Sequence, residues 1–252
     1  MRPDSSPRRF QRSAVSLRNS ARPRFLSGEV VFVWEGRESG TYRRRRYSPK
    51  ASRTDATRRP CSMESMKTAD ISKVKSTHVA LLRGVNVGGN MLPMKDLAGI
   101  LADAGCTDVR TYIQSGNAIF RAADGVLEGL PDRITGRIAK RFGYQIPVIL
   151  RTTEQLRETI RHNPFLKAGA EEKMLHVFFL ADLPKAQDVG SLDPKRSPPD
   201  TFVVRGRDIY VNFPNGLARS KLTNNYFDSK LSTTSTARNW RTVLKLFELM
   251  TV

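Results

Sequence analysis

Apolar and polar residues alternate along the chain in short blocks whose periods predict a series of strands and helices. The first apolar run, residues 78–82, has the length of a buried strand. Apolar residues at helical spacing follow, with Pro93 suited to the first turn of a helix and Gly105 to the position after its end. A β-hairpin is predicted next, with its turn at residues 115–117.

A second helix is predicted over residues 127–142, where apolar residues recur every three or four positions and Gly143 closes the pattern. Pro131 is expected to kink its first turns. Residues 144–150, "YQIPVIL", then have the composition of a strand. The order from Thr77 to about Leu150 is therefore β-α-β-β-α-β, the ferredoxin-like split βαβ pattern, which builds an antiparallel sheet with two helices on one face.

The second half of the pattern is less regular. A helix is predicted over residues 152–162, because Thr152 and Gln155 have the spacing of a capping box. The other predicted elements are a buried strand, a hairpin that turns at Gly206 and two closing helices: residues 174–180, 201–213, 217–231 and 237–250. We therefore predict an α+β protein, with a ferredoxin-like plait at about 77–150 and a partial plait-like half with C-terminal helices at about 151–252.

Positive charge is concentrated at the start of the chain. Of the 43 Lys/Arg and 24 Asp/Glu residues, 16 and 5 fall in residues 1–62, which leaves 27 and 19 for the rest. Segments such as "RRRRYSPK" cannot bury enough apolar surface to offset chain entropy, so we predict that residues 1–76 are a disordered basic extension. Only residues 30–34 could pair as a strand. One explanation is that the true start lies at Met63 or Met66. The alternatives are that residues 1–28, which are rich in Arg and Ser, form a transit peptide and that Arg43–Arg46 form a nucleic-acid-binding or targeting patch.

Other composition signals narrow the class of protein. The two cysteines, Cys61 and Cys106, form no CxxC pair, which indicates a reducing, cytoplasmic compartment. No apolar run approaches the ~20 residues needed to span a bilayer, so no membrane partner is expected. The three histidines lack partners at metal-ligand spacing, and no metal site is predicted. No catalytic residue or cofactor is indicated, which leaves open whether the chain is an enzyme, and its oligomeric state is open too.

Five segments, in this order, resemble a known family: "LLRGVNVGGNMLPMKDL", "TDVRTYIQSGNAIF", "NPF", "PNGLARSKL" and "TARNWRTVLKL". Together they are similar to domain of unknown function 1697, a family of small, mostly bacterial proteins. The resemblance covers about Thr77 to Met250. It implies an α+β fold with plait-like halves, and it implies that the first 62 residues are an addition. It carries no activity, substrate or cofactor.

The glycine-rich stretch that begins at Arg83 is the first candidate binding site. Glycines let backbone N–H groups turn toward an anion, a helix N-terminus adds partial positive charge, and an arginine can bind a phosphate or carboxylate through two hydrogen bonds. The spacing is neither that of a Rossmann fingerprint nor that of a P-loop, so a nucleotide triphosphatase is not expected. The predicted ligand-binding residues here are Arg83, Gly84, Asn86, Gly88 and Gly89. The alternative is that the glycines only shape a turn and that Arg83 pairs with an acid.

The predicted hairpin turn carries three polar side chains, Gln114, Ser115 and Asn117, that could bind a polar ligand. A tight turn needs such residues for its own geometry, which is the alternative explanation.

A basic set near the end of the chain is the third candidate. If residues 238–250 form a helix, Arg238 and Arg241 lie opposite its core stripe, and Lys221 lies upstream in "GLARSKL". We predict that these three residues and Asn239 contribute to the site if the last helix packs beside the glycine loop. The alternative is a solvated helix face.

The best hypothesis from the sequence is binding of a phosphate-bearing ligand, a nucleotide or a nucleic acid, at a basic cleft. The alternatives are an enzyme acting on a small polar metabolite in the same cleft, with the hairpin residues as positioning groups, and a structural or partner-binding protein without a ligand. RNA binding on an open sheet face would need exposed aromatic side chains, whereas Tyr112 and Phe120 are predicted to be core residues.

Overall fold

The computed structural model describes residues 24–26, 29–31, 75–86 and 88–252, which form two antiparallel sheets with helices packed against them. In chain order, the elements up to residue 152 are β1 (Arg24–Leu26), β2 (Glu29–Val31), β3 (Ser76–Leu82), α1 (Met94–Asp103), β4 (Thr107–Tyr112), β5 (Asn117–Ala122), α2 (Asp124–Leu127), α3 (Leu130–Phe142) and β6 (Val148–Thr152). Strands β3 to β6 form one sheet in the order β4-β5-β3-β6.

The remaining elements follow a similar plan. They are α4 (Thr153–Arg161), α5 (Pro164–Lys167), a 3-10 turn (Glu172–Met174), β7 (Leu175–Leu180), α6 (Ala186–Gly190), β8 (Thr201–Arg205), β9 (Asp208–Asn212), a second 3-10 turn (Leu217–Arg219), α7 (Asn224–Leu231), β10 (Ser235–Asn239) and α8 (Trp240–Thr251). The second sheet has the order β1-β2-β8-β9-β7-β10. Its last four strands therefore repeat the order of the first sheet.

This repetition corrects the prediction of a partial second half, because β7 to β10 with α6 and α7 give a full β-α-β-β-α-β order. The α+β class is confirmed, whereas the ferredoxin-like description stays a prediction with which the strand order agrees. β2 extends the second sheet by pairing Val30 with Val204. It lies inside the segment predicted to be disordered and overlaps the strand predicted at residues 30–34. Most of that extension lies outside the described residues.

Three apolar cores hold the described residues together. The first lies between the first sheet and helices α1 and α3, and the second lies between the second sheet and helices α6 and α7. The third joins the two sheets to α4 and α8, with the fully buried Trp240 among its members. Phe120 is buried in the first core and Tyr112 packs against the third. Both faces of the first sheet are therefore covered, which removes the sheet-face mode of RNA binding.

Local signals fixed several helix ends. Thr152 and Gln155 form both hydrogen bonds of the predicted capping box, and Gly143 ends α3 with a positive φ, so both predictions are confirmed. The single helix predicted over residues 127–142 is instead divided into α2 and α3. Gly129 adopts φ 60° between them, a left-handed conformation that a helix cannot continue through.

Two predicted helices near the end of the chain were too long. The segment 217–231 is a 3-10 turn followed by α7, which Thr223 caps by accepting a hydrogen bond from the Tyr226 N–H group. The segment 237–250 begins as strand β10, and α8 starts only at Trp240. Pairing of β10 with β7 overrides the helical spacing of these residues.

Two histidines in strands give the stability of the fold a pH dependence. Burial lowers the pKa of His78 and of His176 below the ordinary value, and backbone hydrogen bonds oppose this only in part. The unfolded chain therefore binds protons below pH ~6.5 that the folded chain does not, so stability should fall as pH drops through that value. We expect the melting temperature to decrease between pH 7.5 and 5.5. The double variant H78F/H176F should show a shallower decrease, and an unchanged slope would contradict this explanation.

Candidate functional site

Asn86 organises the glycine loop, which we define as residues 84–86 and 88–90. It adopts φ 56°, and its side-chain amide accepts a hydrogen bond from the Leu92 N–H group at 2.9 Å and donates to the Leu92 carbonyl at 3.1 Å. The same amide donates to the Gln114 carbonyl at 2.6 Å, which ties the loop to the β4–β5 turn. The amide of Asn86 is thus occupied within the protein, and it shapes the loop rather than offering a free group to a ligand.

The glycines of the loop leave backbone donors unused. Gly84, Gly88 and Gly89 are exposed and adopt φ values of 65°, 65° and 102°. Their N–H groups donate to no acceptor among the residues that the structure describes. Positive φ at residues 84, 86 and 88, with Val85 between the first two at negative φ, is the alternation by which backbone N–H groups form anion-binding concavities.

The β4–β5 turn, residues 113–116, is here called the hairpin tip. Ile113 at the tip adopts φ 48° and is 49% exposed. A β-branched residue in the left-handed region costs about 1–3 kcal/mol and persists only where its surroundings fix it. The carbonyl groups at and beside the tip accept side-chain hydrogen bonds: Tyr112 from Asn117, Gln114 from Asn86, and Ser115 and Gly116 from Arg238.

Because those carbonyls are bound inside the protein, the tip is held firmly while its N–H groups stay unused. Those of Ile113, Gln114 and Ser115 have no acceptor within the described part of the chain. Gln114 is exposed, and Ser115 and Asn117 bond to each other at 2.9 Å. The side chains of Ser115 and Asn117 thus take part in the hydrogen bonds of the turn itself, whereas the side chain of Gln114 stays exposed. The donors left for a ligand at the tip are therefore mainly backbone N–H groups.

Arg238 lies in β10 and not on the last helix, which corrects its predicted position. It is buried, 7% exposed. Its guanidinium donates to six oxygen atoms: Asn117 Oδ1 (2.6 Å), Thr236 Oγ1 (2.9 Å) and the carbonyls of Ala237 (2.7 Å), Leu82 (2.8 Å), Gly116 (3.2 Å) and Ser115 (3.3 Å). Burial lowers the pKa of Arg238 to about 10, so it is charged at neutral pH. With these donors occupied, Arg238 acts on the site through the hairpin tip and not by direct contact with a ligand.

Arg83, at the end of β3, pairs with an acid, as the alternative explanation held. Its guanidinium forms a close ion pair with Asp228 of α7 and donates to Asn225 Oδ1 at 2.6 Å. Asp228 also accepts from the N–H group and the hydroxyl of Ser235. Neither Asn225 nor Asp228 could be identified as a partner of Arg83 from a local pattern, because they lie more than 140 residues from Arg83.

The Arg83–Asp228 pair should stabilise the contact between the two halves. Both side chains are about a quarter exposed or less, so partial burial strengthens the charge-assisted bonds beyond those of a surface pair. In a double-mutant cycle of R83A and D228N, we expect a coupling free energy of about 1–2 kcal/mol from urea unfolding. Additive single effects would show that the pair contributes nothing.

The other predicted residues, Lys221, Asn239 and Arg241, have no recorded contact with the loop or tip among the described residues. Asn239 caps α8 by accepting a hydrogen bond from the Thr242 N–H group at 2.8 Å, and Arg241 is exposed in the first turn. Lys221 is exposed three residues before Asn224, and its N–H group donates to Ser197. In the described part of the chain, no hydrogen bond joins Lys221 or Arg241 to the loop or tip.

A cavity of about 290 Å³ lies elsewhere, at the opposite end of the first sheet. Its lining residues are Thr77, Asp108, Arg110, Ile119, Phe120, Arg121, Met250 and Val252. Its two arginines already have partners, since Arg110 donates to the Leu249 carbonyl and Arg121 lies 3.9 Å from Asp108. We therefore place the candidate site at the glycine loop and tip, where donors without acceptors gather.

The described residues contain neither a metal-binding cluster nor a helix suited to a membrane. No group of three or more His, Cys, Asp or Glu side chains there could hold a metal ion. None of the helices there has both the length and the apolar character needed to cross a membrane.

Cys106 is buried, and burial raises the pKa of its thiol to about 11, which makes it a poor nucleophile.

Of the comparisons with known proteins, one bears on the fold and none gives an activity. A family model described as "Protein of unknown function (DUF1697)" matches residues 76–210. No curated protein matches the chain. Among solved structures, the conserved bacterial protein SP0830 from Streptococcus pneumoniae is similar with a TM-score of 0.56 and 20% identity. That similarity covers 71% of this chain and 100% of the other, and at this identity it shows the fold alone.

Proposed function

The chain belongs to the DUF1697 family of proteins of unknown function, and from that premise we propose that it binds a phosphate-bearing ligand at the glycine loop and hairpin tip. The observation that carries the proposal is the set of exposed backbone N–H groups that have no acceptor among the described residues, on two turns that the Asn86–Gln114 bond joins. Backbone N–H groups held in a rigid turn bind phosphate and carboxylate oxygens without a cost of reorganisation.

Charge favours an anion at this surface. Arg238 is a buried cation, and among the described residues no carboxylate pairs with it. Its positive potential therefore extends toward the tip that it holds. Lys221, Asn239 and Arg241, at the starts of α7 and α8, would meet only the outer part of a larger ligand. A nucleotide or a nucleic acid carries the negative charge and is large enough to reach these side chains. A cytoplasmic location is part of the same proposal.

Binding of ATP to the full chain tests the proposal, with a matched pair of charge changes as the control. Gln114 at the tip and Gln187 in α6 of the other half are both exposed, so Q114E and Q187E alter net charge equally and leave the fold intact. We expect Q114E to weaken ATP binding about threefold to tenfold, because a carboxylate would repel the phosphate at short range. We expect Q187E to bind like the wild type. Equal effects of the two changes, or no ATP binding by the wild type, would refute the proposal.

Salt and ligand class separate the alternatives. Affinity for a single-stranded oligonucleotide should fall steeply between 50 and 200 mM salt if a nucleic acid is the ligand, since bound counterions are released. A rise in melting temperature with an uncharged metabolite and none with ATP, inorganic phosphate or the oligonucleotide would favour the enzyme alternative.

A further inference from the structure

The two halves of the protein use the same hydrogen bonds at equivalent positions. At the end of β3, the Leu82 N–H group donates to the Gly116 carbonyl in the β4–β5 turn at 2.8 Å. At the end of β7, the Leu180 N–H group donates to the Arg207 carbonyl in the β8–β9 turn at 2.9 Å. The strand order is also shared, and the pairing matches at the positions compared here: Leu81 faces Asn117 as Phe179 faces Asp208.

Each half sends one buried arginine into the other half at these equivalent positions. Arg238, in the last strand of the second half, donates to the carbonyls of Leu82 and Gly116. Arg151, in the last strand of the first half, donates to the carbonyls of Leu180 and Arg207 at 2.7 and 3.0 Å. The two arginines therefore form a crossed pair, and each joins the end of the first strand of the other half to its hairpin turn.

The two arginines differ in charge compensation. Arg151 lies 3.5 Å from the carboxylate of Asp208, the first residue of β9. Asn117, the first residue of β5, stands at the equivalent position beside Arg238 and is neutral. Burial lowers the pKa of both arginines to about 10, and only at Arg151 does a carboxylate oppose this effect. A buried cation without a counter-charge is costly, and Arg238 is the member of the pair that contacts the hairpin tip.

We infer that Arg238 is a positioning residue of an anion site, holding the hairpin tip in its binding geometry and leaving its own charge to be compensated by the bound anion. Arg151, whose charge Asp208 compensates, only holds the equivalent hairpin turn of the second half. The inference rests on the proposed function, because it assigns the anion to the same loop and tip.

Matched lysine variants of the full chain test the positioning part. R238K and R151K each keep the charge and remove the forked donor, so each should speed hydrogen exchange of its own amide, Leu82 in R238K and Leu180 in R151K. We expect ATP binding to weaken about tenfold in R238K and less than twofold in R151K. Equal weakening of ATP binding in R238K and R151K would indicate a purely structural role for Arg238 and would overturn the inference.

A second matched pair tests the charge part. N117D gives Arg238 the carboxylate that Arg151 already has, and D208N removes that carboxylate from Arg151. We expect N117D to weaken ATP binding about tenfold and D208N to leave it within twofold, although D208N lowers the melting temperature. If the wild type binds ATP and N117D binds it equally well, the inference is wrong. Failure of the wild type to bind ATP is a different outcome, since it removes the proposed function itself.

Discussion

Replacing Arg151 with methionine should lower the free energy of unfolding by about 3–5 kcal/mol, because it leaves Asp208 as a buried carboxylate without its cation. Arg151 is 2% exposed, and its guanidinium also lies over the ring of Phe179. Burial already raises the pKa of Asp208, and Arg151 is the main group that opposes this. Urea unfolding of the two proteins at pH 7 measures the difference.

The double variant R151M/D208N is the control for this prediction. It removes both charges, so it should recover a large part of the lost stability, since replacing a buried ion pair by neutral groups is often tolerated. R238M should cost less than R151M, because no buried acid is left behind at Asn117. A loss in R151M below 1 kcal/mol, or no recovery in the double variant, would contradict the role assigned to the Arg151–Asp208 pair.

Replacing Trp240 with alanine should also lower the free energy of unfolding by about 3–5 kcal/mol. Trp240 is fully buried at the start of α8 and belongs to the core between the two sheets. Truncating it removes a large apolar surface and leaves a cavity that rigid strands on both sides cannot fill. Urea unfolding followed by circular dichroism measures the loss.

The matched variant W240F separates volume from hydrogen bonding. The indole Nε1 is buried without a partner among the described residues, so phenylalanine removes an unsatisfied donor along with part of the ring. W240F should therefore cost clearly less than W240A. Because the third core joins both sheets, W240A should still unfold in one transition. Two separate transitions would show that the halves fold independently and that this core does not couple them.

Features encoded by neighbouring residues could be predicted from the sequence. The capping box of Thr152 and Gln155 needs residues three apart, and the glycine ends of α1 and α3 need one residue each. The strand order of the first half is consistent with the element pattern, since short connections leave few topologies.

Features that depend on distant partners could not be predicted. Residues 237–239 fit a helical period, and only pairing with β7 reveals that they belong to a strand. That error placed Arg238 on a solvent-facing helix surface, whereas the strand directs it into the other half. The Arg83–Asp228 pair joins residues 145 positions apart, and no local pattern specifies it. The equivalence of Arg151 and Arg238 could not be predicted either, because the two halves share a strand order but no repeat of residues in the sequence.

The most direct test of the anion site is a titration of the ¹⁵N-labelled full chain with ATP, followed by amide chemical shifts. We expect saturable shifts at Gly84, Gly88 and Gly89 and at Ile113, Gln114 and Ser115, whose N–H groups have no acceptor in the part of the chain that the structure describes. Saturable shifts confined to the cavity at Arg110 and Arg121, or no saturable shift at the loop and tip, would contradict the proposed site.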